Sequence, residues 1–116
     1  IPIPEWVEGH PLPQTEAAAV SRPEQVLTEW DSVHGPVEMH LKSICHRDGW
    51  LCTRYGASSL YDGSEGELYN LNEDPEQRVN LWDDEAHASV RTDLVAQLED
   101  VLPPARSPQL ERQAPV

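Results

Sequence analysis

The chain has 116 residues, 21 of them acidic and 8 basic, for a formal net charge of −13, a length that allows one domain at most. That sign opposes the neutralisation of phosphates, so nucleic acid is excluded as a partner and an anionic membrane surface is disfavoured. No apolar run approaches the ~20 residues needed to span a bilayer.

Residues 1–24 hold Pro2, Pro4, Pro11, Pro13 and Pro23. Proline fixes φ and lacks an N–H, so this stretch reads as an extended arm and not as a sheet strand or long helix. Ile1, Ile3, Trp6, Val7 and Leu12 make it too apolar for a free linker, with Trp6 as a packing anchor. Val26-Leu27-Thr28-Glu29-Trp30 predicts a strand, broken by Asp31-Ser32 and Gly35-Pro36. Residues 37–45 predict the next strand, with Met39 and Leu41 on one face and Ile44 out of the alternation. His46-Arg47-Asp48-Gly49 turns the chain, Gly49 taking the left-handed conformation, and 50–55 returns. Cys45 and Cys52 flank this turn. A four-residue loop over 47–50 would set them opposite each other, and a tighter turn at Asp48-Gly49 would set Cys45 opposite Trp50 or Leu51. Free, partly buried thiols are the expected state.

After a loop over 56–64, Gly66–Leu81 reads GELYNLNEDPEQRVNL. Its first part alternates as a strand, with Leu68 and Asn70 on one side and Glu67, Tyr69 and Leu71 on the other. Asp74 then suits the N-cap of a helical turn, Pro75 its first position and Gln77 the capping-box spacing. Asp83 or Asp84 caps a longer helix over about 85–101, where Ala86, Val90, Leu94, Leu98 and Val101 form one apolar stripe. Pro103-Pro104 stops it, and 104–116 is polar and aperiodic, as in a disordered tail. Nine acids between Asp62 and Glu85, against Arg78 alone, read as a solvated face with helix caps; Asp62–Glu67 lacks the spacing of an EF-hand. The expected fold is α+β: about four antiparallel strands with one long C-terminal helix packed on them, behind an extended proline-rich arm. The expected division is 1–24 for the arm, 25–103 for the domain and 104–116 for the tail.

Glu67, Leu68, Tyr69, Leu71, Asp74, Pro75, Asn80 and Leu81 carry a resemblance. The segment resembles the E-L-Y-D-L-x-x-D-P-x-E-x-x-N-L stretch near the C-terminus of type I, formylglycine-dependent sulfatases, in the alkaline-phosphatase superfamily. VLTEWDS and MHLKSICHRDGWLCTRY are similar to that family's first C-terminal-domain strands, and IPIPEWVEGHPLP to the linker leaving its catalytic domain. The resemblance runs over roughly residues 1–103. It implies the same small α+β domain, non-catalytic itself, packed on the catalytic domain of the same parent chain and shaping the active-site mouth. It also implies a parent that is a sulfuric ester hydrolase, with calcium and formylglycine in the catalytic domain.

That chemistry needs a strong nucleophile and concentrated positive charge around a sulfate oxyanion. Neither cysteine here begins the C/S-x-P/A-x-R motif: Cys45 precedes His-Arg-Asp-Gly and Cys52 precedes Thr-Arg-Tyr-Gly. The family's Asp-Asp metal motif is absent too, so the expectation is no catalytic residue and no metal ligand in these 116 residues. His34, His40 and Lys42, the only lysine, are the candidates for lending charge to a neighbouring substrate pocket, while His10, His46 and His87 read as solvent-facing. Two other readings are an independent acidic protein-interaction module, and the same domain of a related phosphonate or phosphate ester hydrolase.

Overall fold

The computed structural model describes residues 24–101. The expectations for the tail, and for all of the arm except Glu24, lie outside the described residues. Four strands form one antiparallel sheet in the order β1-β2-β3-β4: β1 Gln25–His34, β2 Val37–His46, β3 Trp50–Tyr55 and β4 Gly66–Asn70. A 3-10 turn, Glu85–His87, leads into the single helix of the described residues, α1, Ala88–Val101.

β1 is longer than the sequence suggests. Asp31 and Ser32 do not end it; they lie inside a ten-pair ladder, across from His40 and Met39. Two features hold them there. Asp31 Oδ1 accepts from His40 Nδ1 at 2.7 Å, and β1 is an edge strand, which tolerates polar residues. The reversal comes at Gly35-Pro36, a two-residue turn in which Gly35 has φ +61°, as the primed hairpin turns require. The β2–β3 turn is likewise closed by Gly49, φ +96°. It sets Cys45 opposite Leu51 and Ile44 opposite Cys52. The cysteines therefore point to opposite faces of the sheet, and both are free thiols, Cys45 exposed and Cys52 buried.

Leu27, Ile44, Cys52 and Leu68 are directly opposite one another across the four strands. α1 packs over this row: Ile44, Cys52 and Leu68 form a buried cluster with Leu94 and Leu98, and Leu27, Trp50, Val90 and Val95 pack around it. So Ile44 does not break the alternation of β2. It belongs to the face covered by the helix, and Met39 and Leu41 belong to the other face. The apolar stripe of α1 is also narrower than its periodicity suggests, because Ala86 lies in the exposed 3-10 turn and Val101 is exposed at the last turn. Asp84, not Asp83, is the cap, accepting from the Ala86 N–H at 3.0 Å.

Leu98 is fully buried, so Leu98→Ala is expected to destabilise the chain by about 2–5 kcal/mol. Urea denaturation monitored by tryptophan fluorescence measures this, and a loss under about half a kilocalorie per mole would show that α1 does not cover the sheet.

Candidate functional site

The segment that carries the resemblance is placed along the open edge of β4. Leu71 N–H donates to the Gly49 carbonyl, and Tyr55 N–H to the Glu65 carbonyl. Odd-numbered residues of this strand therefore turn their backbone groups toward β3, and the even-numbered ones turn theirs outward. An outward row is unpaired unless something covers it. Here the chain covers it with its own continuation. The Asn80 side chain accepts from Leu68 N–H at 3.0 Å and donates to the Gly66 carbonyl at 3.0 Å. Leu81 N–H donates to the Leu68 carbonyl at 2.9 Å, and Glu73 and Asp74 N–H to that of Asn70. The Asn80 oxygen also accepts from Trp82 N–H at 2.9 Å.

The sequence suggests a helical turn after Asp74; the structure has none. Gln77 N–H closes one tight turn onto the Asp74 carbonyl at 3.1 Å, and Gln77 then takes φ +55°. That left-handed step stops any helix and sends the chain back toward β4. The Asp74 carboxylate bridges the reversal by accepting from Val79 N–H at 2.9 Å. The Val79 and Arg78 N–H groups hold its carboxyl below the ordinary value of 3.8.

Trp82 fastens the returned segment to the helix. Its ring lies over Gly66, where an added Cβ would meet ring carbon at 2.6 Å, and its Nε1 donates to the Ser64 carbonyl at 3.0 Å. Arg91 of α1 donates to the Trp82 carbonyl and stands 5.4 Å from the ring centroid. Arg54 of β3 pairs with Glu99. Both arginines line a cleft of about 590 Å³ between α1 and the loop residues Ser64 and Trp82, and both are held by these contacts. The pairing of Trp82 with Arg91 is not visible in the sequence, since the two are nine residues apart and joined by a bend.

Of the candidates for lending charge, His40 and Lys42 share the helix-covered face and His34 lies on the other. His40 Nδ1 faces the Asp31 carboxylate at 2.7 Å, and Lys42 Nζ stands 3.7 Å from Glu29. His34 is exposed at the hairpin tip. β3 pairs with β2 only from Leu41 to Cys45. The hairpin tip with His34 therefore runs beyond the β2–β3 ladder, while the His40 carbonyl still accepts from Gly56 N–H at 2.7 Å. Among the described residues, no three His, Cys, Asp or Glu side chains are grouped closely enough to hold a metal ion. Burial pushes the Cys52 thiol up to about 11, against the opposing charge of Arg91.

No protein-family model matches this chain, and no curated protein sequence does. Solved structures do. One, from Bacteroides thetaiotaomicron VPI-5482 and assigned as a sulfatase, matches over 86% of this chain with a TM-score of 0.64 and 23% identity. Another, described as a 2-O GAG sulfatase, matches over 86% of the chain at 0.62 and 22%.

The chain has a fold found in sulfatases.

It spans 21% of the length of each of these two proteins. Within this sulfatase-type fold, Asn80, Leu81 and Asp74 together close the sheet edge. Glu67 accepts from the Tyr55 hydroxyl. Leu68 is in the core, Tyr69 is buried on the opposite face and Leu71 continues the ladder. Pro75 fixes the second position of the tight turn.

Asn80→Ala removes three hydrogen bonds at once and is expected to cost about 2 kcal/mol, because Leu68 N–H and the Gly66 carbonyl lose their partner. An unchanged urea midpoint would show that water serves that edge equally well. Acid should weaken the same segment. The folded carboxyl of Asp74 titrates below 3.8, so its contribution is complete above that pH and is lost as the pH falls through its folded value. The urea midpoint should therefore drop on acidification, less steeply in Asp74→Ala than in the unaltered chain; parallel slopes would show that Asp74 contributes nothing to this dependence.

Proposed function

We propose that this chain is the non-catalytic C-terminal domain of a sulfatase, and that it packs on the catalytic domain of its own parent chain and shapes the active-site mouth. The observation that carries the reading is a likeness of fold to two sulfatases that takes in most of this chain and only 21% of theirs. The ELYNLNEDPEQRVNL segment supports it independently, as a sequence resemblance whose residues close the sheet edge.

The parent's reaction is hydrolysis of a sulfuric ester, with formylglycine and calcium in the catalytic domain. Neither cysteine fits the formylglycine precursor, and the calcium would be held elsewhere in the parent. Cys52 is fully buried with its thiol pushed up to about 11, and Cys45 lacks the flanking Pro/Ala and Arg of the modification motif. No step of the reaction is assigned to this chain. Its contribution to substrate access would come from the projecting β1–β2 hairpin, with His34 and His40 as the groups that could meet a bound sulfate and Lys42 further back beside Glu29.

An aryl sulfate assay with calcium tests the reading, using the 116-residue chain, the parent, and the parent without residues 25–103. Turnover is expected from the parent alone among the first two, and the deletion should lose activity or stability. Turnover by the 116-residue chain would contradict the non-catalytic assignment. A parent without sulfatase activity, or a deletion variant as active and stable as the parent, would contradict the partnership.

A further inference from the structure

The two faces of the sheet differ sharply in charge. Among strand residues, the face under α1 carries Glu29, Asp31, Glu38, Lys42 and Arg54, whereas the opposite face carries Glu67 alone. In a chain of net charge −13, a water-facing sheet surface with one charged side chain is out of character. Even that charge is engaged, since Glu67 accepts from the Tyr55 hydroxyl. Burial and that hydrogen bond both push the Tyr55 hydroxyl up. The hydroxyls of Ser43 and Thr53 satisfy each other at 2.8 Å. The β1 side of what remains is largely apolar and open: Val26 is 62% exposed and Trp30 58%, beside the half-buried Met39 and Leu41, the exposed Cys45 and the hydroxyls of Thr28 and Ser32. Toward β4, by contrast, Thr53 and Tyr69 are buried. Tyr61, from the loop after β3, stacks on Tyr55 at 4.6 Å and covers one corner.

We infer that this face, centred on Trp30 and Leu41, is the surface that docks on the catalytic domain of the parent chain. The inference rests on the reading proposed above and adds to it which side of the sheet is the interface. The occupant follows from three observations. The sulfatases that share this fold are about five times as long as the part matched, so a body large enough to cover a four-stranded face accompanies it there. Ser43 with Thr53 and Tyr55 with Glu67 already pair their polar groups on this face, which suits burial against protein. An exposed tryptophan directly across from Leu41 and diagonal to Met39 is the pattern of an interface anchor. The helix face offers no comparable surface, because α1 occupies its apolar rows and the rest is charged.

Cys45 lies on the inferred interface and is a native reporter, while Cys52 in the core reports unfolding. Maleimide labelling of both, read by peptide mass spectrometry, is compared between the parent and the 116-residue chain. Cys45 should label at least about tenfold more slowly in the parent, with Cys52 protected in both. In the parent, Trp30→Lys should restore Cys45 labelling with Cys52 still protected, and Val33→Lys, on the other face of the same strand, should not. Equal Cys45 rates in parent and chain would overturn the inference. So would protection of Cys45 in the 116-residue chain itself, which means that residues 1–23 or a second copy cover the face; a dilution series distinguishes the two. If Trp30→Lys exposes Cys52 as well, it has unfolded the domain, and the comparison of the unaltered proteins decides. A parent with no sulfatase activity but with protected Cys45 would remove the sulfatase reading and leave the docking face standing.

Discussion

The fold depends on how the outer edge of β4 is closed. A four-stranded sheet with one helix leaves two edges, and an edge strand exposes every second backbone group. At β4 those groups belong to Gly66, Leu68 and Asn70, and Leu68 is also the centre of the core. A carboxamide fits this place because it is a donor and an acceptor on one rigid plane, the same pair that a neighbouring strand would supply. Asn80 fills that role for Leu68 and Gly66, and Leu81 adds a main-chain bond beside it. The tight turn through Asp74 and Gln77 brings Asn80 back to this position. Among the described residues, no buried side-chain polar atom is left without a partner.

Edge closure and helix docking are linked through Trp82. The residue two positions beyond Asn80 lays its ring over Gly66 and receives Arg91 from α1. The returned segment thus holds the helix against the same face that contains Ile44, Cys52 and Leu68. Apart from Glu67, the charged residues of the sheet lie on the helix side, beyond the core row. The other side carries Trp30, aliphatic residues and hydroxyls, of which Ser43 and Thr53 pair with each other. A chain of this size buries only about two thirds of its unfolded surface, so a further apolar contact would add to a modest core. The docking face inferred above follows from this asymmetry.

Much of this is legible in the sequence. Strand periodicity, a glycine at the turn of each of the β1–β2 and β2–β3 hairpins, and the Val90-Leu94-Leu98 spacing are local signals, and local signals place all four strands and the helix. The misreadings have physical causes. Asp31 and Ser32 look like a break because they are poor strand residues, but a cross-strand partner at His40 outweighs intrinsic preference. Asp-Pro-x-Gln looks like a helix start because the first turn of a helix and a single tight turn share their opening geometry. Only the φ of Gln77, set by the need to return to β4, separates them. Ile44 looks out of register because the more numerous apolar residues of β2 face the uncovered side. The candidate site is legible as a motif but not as a mechanism, since the role of Asn80 emerges only when Leu68 is beside it.

Amide hydrogen exchange at Leu68, Leu81 and Trp82 in the 116-residue chain tests the central claim most directly. If the returned segment closes the edge of β4, these three amides exchange as slowly as those of Ile44 and Cys52 in the core, because they open only when the sheet does. If they exchange at the rate of an unstructured peptide while Ile44 and Cys52 remain protected, the edge is open in solution and edge closure does not hold the fold together.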